Sequence, residues 1–203
     1  METVDDARDT LTRSWPLIVD ECRAVLGGEL HYQAVIYHCL RLSGAPRAQI
    51  GMNVKQWIVD PITSLFIQND LRKHQDFRGG FEPIPDIVLF RPEIGADWRR
   101  RNHVLTLRHM LLAIEVKASE RLGRRLRQSE IVADCMKLAA HREEVQHRGS
   151  VMLPVVIVVD TAPNASERMH PDALEHCKTT ATGLGIRFMY VSNDQSWDVM
   201  PEI

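Results

Sequence analysis

The hydrophobic pattern of the chain centres on residues 111–117, an apolar stretch that two charged side chains interrupt. Short apolar runs of this length with β-branched residues are typical of buried strands. Because side chains alternate across a strand, Glu115 and Lys117 are expected on one face and Val116 on the other. Burying charged groups costs free energy unless they pair or bind an ion. The pattern therefore predicts a strand with one packing face and one face that carries chemistry.

A second strand-like stretch covers residues 84–90 and contains a single acid, Asp86, directly after Pro85. If the two predicted strands are neighbours in one sheet, Asp86 meets Glu115 and Lys117. Two carboxylates and an ammonium group would then lie together at the surface of a buried sheet. The plainer alternative is an exposed ion pair between Glu115 and Lys117, with Asp86 capping a turn.

The rest of the pattern alternates helices with strands. Apolar residues at helical spacing predict helices, the first with Ser14 as its N-cap, over segments 14–26, 29–42, 129–148 and 171–184. Period-two or continuous apolar runs predict strands over 151–159 and over 186–191, whereas a strand within 49–59 is expected only from the family resemblance described below. Residues 62–71 fit either a helical turn or a further strand, and residues 1–13 are expected to be loosely packed. This alternation predicts an α/β fold, with a mixed central sheet and helices on both sides.

Composition bounds the class of protein. The chain has 203 residues, 44% hydrophobic and 26% charged, which suits one soluble domain over 1–203. No apolar run approaches the ~20 residues of a membrane span, and the N-terminus lacks a basic region followed by an apolar one, so a cytoplasmic location is expected. The cysteines have no paired spacing, which predicts reduced and mostly buried thiols at positions 22, 39, 135 and 177.

The two charged strands carry a resemblance to a known family. Pro85 and Asp86, followed after a gap by Glu115-Val116-Lys117, resemble the motif of the PD-(D/E)xK nuclease superfamily. The resemblance implies the restriction-endonuclease-like fold and hydrolysis of phosphodiester bonds in DNA. It further implies that the two acids hold a divalent metal and that the lysine orients or activates the attacking water.

The resemblance also implies the ligands and the order of elements. Mg²⁺, with Mn²⁺ as a substitute, would be held by Asp86, Glu115 and the backbone carbonyl of Val116, since hard oxygen ligands suit it. Lys117 would be partly desolvated, with a depressed pKa that lets it take or steer the proton of the water. The helix before the sheet and the amphipathic helix after the motif strand give a nuclease-like core over 29–159.

The helix that precedes the core sheet can bring a further acid to such a site. Glu29 is the candidate for this role, and Glu21 is the alternative. Position alone favours a plainer explanation for Glu29, because an acid in the first turn of a helix is stabilised by the helix dipole.

Basic residues flank the predicted site in the sequence on both sides. The net charge of −2 does not announce a nucleic-acid binder, but a local basic face acts even when the whole chain is near neutral. Phosphate contacts are expected from two groups of arginines, Arg99, Arg100 and Arg101 before the motif strand and Arg121, Arg124 and Arg125 after it. DNA is the expected partner, and a homodimer would allow both strands to be cut.

Other functional classes have less support in the sequence. No nucleotide-binding or serine-hydrolase motif is present, so no nucleotide cofactor is expected, and the nine histidines lack zinc-protease spacing. Two alternatives stay open. One is a catalytically silent module of the same fold that binds nucleic acid or a protein partner, and the other is a ribonuclease or effector nuclease that acts with another subunit.

Overall fold

The computed structural model describes residues 1–201, and within them the chain folds around a six-stranded mixed sheet. The strands are β1 (Ile50–Met52), β2 (Ile87–Phe90), β3 (Met110–Ala118), β4 (Leu153–Asp160), β5 (Arg187–Ser192) and β6 (Ser196–Val199). The α-helices are α1 (Val4–Ala24), α2 (Glu29–Leu42), α3 (Ser64–Leu71), α4 (His103–Arg108), α5 (Gln128–His147) and α6 (Pro171–Gly183). None of the helices in the described part of the chain is both long and apolar enough to cross a membrane.

The strands lie in the sheet in the same order as in the chain. β1, β2 and β3 are joined as antiparallel neighbours, β3, β4 and β5 are parallel, and β6 returns antiparallel to β5. Parallel neighbours need a crossover connection, and α5 and α6 supply the two that this sheet requires. The sheet is therefore a meander on one side and a pair of βαβ units on the other.

Helices cover both faces of the sheet. α1 and α2 pack on one face, against residues such as Ile114 and Ile157. α3, α5 and α6 pack on the other face, against residues such as Ala113 and Val158. All eight residues of β4 are buried, as expected for a central strand covered on both sides. The predicted α/β class, with a mixed sheet between helices, is confirmed.

Most of the predicted segments match the observed elements. The helix predicted over 29–42 is α2 with the same bounds, and the predicted strand over 186–191 is β5 within one residue at each end. β1 lies inside segment 49–59, and the ambiguous segment 62–71 contains the helix α3. The cysteines are buried free thiols, as their spacing predicts.

The N-terminal segment differs from its prediction. Residues 1–13 were expected to be loose, but α1 includes most of them because Thr3 and Asp6 form a reciprocal N-terminal cap. The Thr3 hydroxyl accepts from the Asp6 N–H at 3.1 Å, and the Asp6 carboxylate accepts from the Thr3 N–H at 3.0 Å. Leu11 is fully buried on the same helix. Ser14, the predicted N-cap, lies inside α1 and donates to the Leu11 carbonyl at 2.8 Å.

The β1–β2 pair extends beyond the sheet as a two-stranded ribbon. Residues 53–58 run beside residues 81–86, starting where Asp86 precedes β2. Further out, Ile58 and Phe81 exchange backbone hydrogen bonds of 2.8 and 3.0 Å. The ribbon thus leads away from the end of the sheet that carries Asp86.

Candidate active site

Strand register brings the two predicted acids together. Ile87 pairs with Ile114 in the antiparallel β2–β3 ladder, so the preceding residue, Asp86, lies opposite Glu115. One oxygen of the buried Asp86 carboxylate accepts from the Val116 N–H at 2.7 Å. The Asp86 side chain therefore continues the contact between β2 and β3 one residue beyond the last backbone pair.

Lys117 lies between two carboxylates from different helices. Its ammonium nitrogen is 3.0 Å from a carboxylate oxygen of Asp134 in α5 and 3.2 Å from one of Glu29 in α2. It also donates to the Val116 carbonyl at 3.2 Å. We call Glu29, Asp86, Glu115, Lys117 and Asp134 the carboxylate cluster.

The first turn of α2 delivers Glu29 to this cluster. The helix begins after Gly28, and the Glu29 backbone N–H donates to the Glu120 carboxylate at 2.8 Å, which anchors the helix start beside β3. The candidate further acid therefore contacts the predicted lysine. Glu21, the alternative, is exposed on α1.

Two residues of the site were not among the predicted site residues. Asp134 pairs with Lys117 and, at 2.7 Å, with Lys137. The side chain of Gln33, one turn after Glu29 on α2, donates to the second oxygen of the Asp86 carboxylate at 2.7 Å. Both are buried polar residues on the apolar stripe of an amphipathic helix, which is the sequence signal that marks them.

Burial and mutual repulsion perturb the acids of the cluster. Burial raises the pKa of Asp86 to about 6, and nearby Glu29 and Asp134 add to this, against the Val116 N–H and Lys117. Burial also raises the pKa of Glu115 well above its usual value, and the charges of Asp86 and Asp134 raise it further. No hydrogen bond or ion pair within residues 1–201 reaches the Glu115 carboxylate. A cation bound beside Asp86 and Glu115 would reduce the repulsion between the two carboxylates.

The expected depression of the Lys117 pKa is wrong. Burial alone lowers the pKa of Lys117, but the charges and hydrogen bonds of Asp134 and Glu29 outweigh burial, and the net pKa lies above its usual value. Lys117 is therefore held as an ammonium group. In this arrangement it supplies positive charge and hydrogen-bond donors and does not accept a proton.

The donors of the cluster suit a magnesium ion. Within residues 1–201, no three side chains of His, Cys, Asp or Glu converge as a ready set of metal ligands. Mg²⁺ does not require such a set, because it is usually bound by one or two carboxylates and completes its shell with water and phosphate oxygens. The facing carboxylates of Asp86 and Glu115, with the Val116 carbonyl between their strands, are hard oxygen donors of this kind.

An open cleft exposes part of the cluster to solvent. It has a volume of about 690 Å³, and its walls include Glu29, Lys117 and Asp134. The loop after β3 brings Arg121 to the same cleft. Two further predicted arginines line an adjoining hollow, Arg124 and Arg125. The second group of predicted phosphate contacts is therefore positioned at the edge of the site.

The first group of arginines lies elsewhere. Arg99 pairs with Asp97 at 2.6 Å, and Arg100 pairs with Glu82 on the ribbon. Arg101 is exposed, and none of the three is among the residues that line the cleft. The triplet lies away from the cleft because the connection between β2 and β3 packs along the ribbon, and its contact with phosphates stays a prediction.

Comparison of the chain with protein-family models, with curated proteins and with solved structures gives no significant match.

Proposed function

We propose that the chain is a magnesium-dependent endonuclease of the PD-(D/E)xK type that hydrolyses phosphodiester bonds in DNA. The order of elements supports this proposal: helix α2, the antiparallel strands β1 to β3, helix α5 and the parallel strand β4. It is the order that the resemblance of the motif implies for a restriction-endonuclease-like core. The match in order includes the two helices that bring acids to Lys117.

The observation that carries the proposal is the facing pair of Asp86 and Glu115. Two carboxylates on neighbouring strands, both with raised pKa values, are an unfavourable arrangement for a purely structural role. The ammonium group of Lys117, which lies near both acids, is already paired with Glu29 and Asp134. Titratable groups with perturbed pKa values are common at functional sites, and Lys117, whose pKa is also perturbed, lines the cleft beside these acids.

In the proposed hydrolysis, the residues of the cluster have different roles. Gln33 and the Val116 N–H each donate to one oxygen of the Asp86 carboxylate, so they hold it in one orientation beside β3. A magnesium ion held by these two acids would polarise the phosphate and lower the pKa of a water. Lys117, as an ammonium group at the cleft, would orient that water and stabilise negative charge on the phosphate oxygens.

The substrate side of the proposal depends on the loop after β3. Arg121 and Arg124 make few contacts with acids, since Arg121 lies 3.7 Å from Glu130 and Arg124 forms no ion pair within residues 1–201. Their charges are therefore free to contact a phosphate backbone that enters the cleft. Arg125 donates to the Ser166 carbonyl at 2.8 Å, which fixes the loop against the loop after β4.

The test is cleavage of plasmid and short DNA substrates with Mg²⁺ or Mn²⁺ by the wild type beside Asp86→Ala and Lys117→Ala. We expect both substitutions to reduce cleavage at least a hundredfold, because one removes a metal ligand and the other the positive charge at the reacting phosphate. Lys178→Ala and Asp172→Ala are matched controls on α6, far from the cluster in sequence, and should cleave like the wild type.

Circular dichroism would establish that each variant keeps its fold. Cleavage at equal rates by all variants would place the activity outside the cluster and refute the assignment. Absence of cleavage by the wild type on single-stranded DNA, duplex DNA and RNA would refute the nuclease itself.

A second function, a catalytically silent module of the same fold, is favoured by one observation. Lys117 has two carboxylate partners, so its charge is satisfied without any ligand. In a silent module this ion-pair network would serve only to join α2 and α5 to β3. Divalent-ion binding that depends on Asp86 and Glu115 distinguishes the two, because a silent module has no need of it.

A further inference from the structure

A second concave site lies at the outer end of the ribbon, away from the cleft. It is a hollow of about 430 Å³ whose walls include Trp57, Lys73, Phe77, Phe81 and Arg100. We call these five residues the aromatic hollow. Its walls also include Arg78 and the acids Asp76 and Glu82, so three aromatic rings lie among three cations and two acids. The proposed reaction makes no use of this hollow.

The inner rings of the hollow are fixed in place. Phe81 stacks on the fully buried Phe66, with ring centres 4.4 Å apart, which ties it to the core. Gly80 has a positive φ of 149°, and a Cβ atom there would lie 2.9 Å from the Trp57 ring. The absence of a side chain at Gly80 therefore lets Trp57 pack against the backbone, as a rigid wall for a ligand.

Cations lie over the aromatic rings. The Lys73 ammonium is 5.3 Å from the centre of the Trp57 ring and 5.6 Å from that of Phe81, and the Arg100 guanidinium is 5.0 Å from Trp57. Such contacts hold the cations beside the rings. A ligand with a flat ring and a nearby negative charge would match both features at once.

Phe77 is exposed on a segment that is otherwise well held. Its side chain is 71% exposed, which is a costly state for a phenyl ring in water. The segment around it is tied to the end of α3, because the Arg78 guanidinium donates to the carbonyls of Leu71 at 2.8 Å and Lys73 at 3.2 Å. The chain thus displays an apolar ring at the edge of a basic hollow.

Charge around the hollow differs from charge in the whole chain. The segments 55–57, 72–82 and 99–101 hold seven lysines and arginines but only two acids, whereas the whole chain has a net charge of −2. Even with the flanking Asp70 and Asp97 counted, cations exceed acids by seven to four. The surplus favours a polyanion as the ligand.

We propose that the aromatic hollow binds single-stranded nucleic acid, with unpaired bases stacked on Phe77 and Trp57 and phosphates near Arg100. Aromatic rings beside a basic track are the usual platform for single strands, because every base offers a face to stack on. Duplex DNA keeps its bases paired and offers no such face. The identity of the ligand as nucleic acid rests on the proposed function.

The ribbon connects this hollow to the carboxylate cluster. Asp86 follows Phe81 by five positions, and an extended chain spans about 17 Å over that separation. A single strand of nucleic acid bound at the hollow would thus reach the carboxylate cluster within a few nucleotides. The inferred substrate is therefore DNA with a single-stranded segment, such as a flap, a gap or an end.

The test measures binding of a fluorescent oligothymidylate by anisotropy, in the presence of EDTA so that cleavage does not occur. The wild type should bind the single strand at least tenfold more tightly than a blunt duplex. Phe77→Ala and Trp57→Ala should each weaken binding about tenfold, since each removes one stacked base. Arg100→Gln should reduce the slope of log affinity against log salt by about 0.7.

Matched controls come from the end of α2 and the turn that follows it. Leu42→Ala removes a side chain that is 63% exposed, and Arg47→Gln removes an exposed cation, and both should bind like the wild type. Phe77 is the decisive position, because its exposed ring contributes little to folding. Wild-type affinity in Phe77→Ala and Trp57→Ala, or equal affinity for the duplex, would overturn the proposal.

The outcomes for this site and for the nuclease are separable. Binding that depends on Phe77 and Trp57, without any cleavage when Mg²⁺ is added, would support this site and refute the proposed function. Metal-dependent cleavage together with unchanged binding in Phe77→Ala and Trp57→Ala would support the nuclease and refute this binding site.

Discussion

At the scale of single residues, the position opposite Asp86 carries an electrostatic cost. Glu115 faces another carboxylate across the β2–β3 ladder and has no hydrogen-bond donor of its own within residues 1–201. Lys117, two residues away on the same face, is shared by two other acids. Functional sites often keep a charged group whose burial destabilises the fold until a ligand of opposite charge binds.

This cost predicts that Glu115→Gln stabilises the metal-free protein at neutral and alkaline pH. In the unfolded chain the pKa of Glu115 lies near its ordinary value of 4.5, whereas in the folded chain burial raises it, so folding opposes ionisation. The contribution of Glu115 to stability is therefore lost as the pH rises above about 4.5 towards its raised folded-state pKa, and the amide variant lacks this loss. We expect a gain of at least about 1 kcal/mol at pH 8, measured by urea unfolding in EDTA.

The gain should vanish below pH 4, where the carboxyl group is neutral in both states. Glu175→Gln on α6 is the matched control, and its stability should follow the wild type across the pH range. Lower stability of Glu115→Gln at pH 8 would mean that the carboxylate is satisfied in the folded protein.

The convergence of the main site residues was predictable from the sequence. Alternation along a strand and the adjacency of two strands are local rules, and they placed Asp86 beside Glu115 and Lys117. The contacts of Asp134 and Gln33 were not, because a helix face acquires its partner only when helices pack. The pKa of Lys117 was predicted in the wrong direction for the same reason, since its direction depends on acids from α2 and α5.

At the scale of elements, the connection between β1 and β2 depends on one buried acid in α5. The fully buried Glu144 accepts hydrogen bonds of 2.9 Å from the N–H groups of Ile62 and Thr63 and from the Thr63 hydroxyl. Its second oxygen pairs with Arg148 at 2.7 Å. A single carboxylate thus fixes the start of α3 to α5.

Glu144→Ala should therefore destabilise the protein by about 3 to 5 kcal/mol, because it leaves buried donors and Arg148 without their partner. The measurement is urea unfolding followed by circular dichroism. Glu143→Ala, at the exposed neighbouring position, should change the free energy of unfolding by less than about 0.5 kcal/mol. A loss below about 1 kcal/mol for Glu144→Ala would show that α3 does not depend on this contact.

Elements were predictable where their own pattern decides them. α2, β3, β4 and β5 have clear periodicity or continuous apolar runs, and the structure has them at the expected places. β6 was missed because an edge strand of four residues with alternating exposure has too little apolar content to stand out. The start of α1 was missed because residues 1–13 are mostly polar and include several acids. The helix nevertheless has a buried face there, which includes Ala7 and Leu11.

At the scale of the whole molecule, the two proposed sites lie at opposite ends of one ribbon. The carboxylate cluster lies where the ribbon joins the sheet, and the aromatic hollow lies at the outer end. The α/β class with helices on both faces followed from the alternation of elements in the sequence. The path of the β2–β3 connection did not, because Arg100 reaches the ribbon through tertiary contacts with Glu82 and Trp57.

A divalent ion held between Asp86 and Glu115 is the statement on which the proposed chemistry depends. The most direct test is calorimetric titration of the full chain with Mn²⁺, repeated across a range of pH. One ion should bind, and its affinity should rise with pH through about 6, because protons compete for carboxylates with raised pKa values. Glu115→Gln should abolish binding, and Glu175→Gln should not. Equal binding by both variants, or none by the wild type, would contradict the metal site.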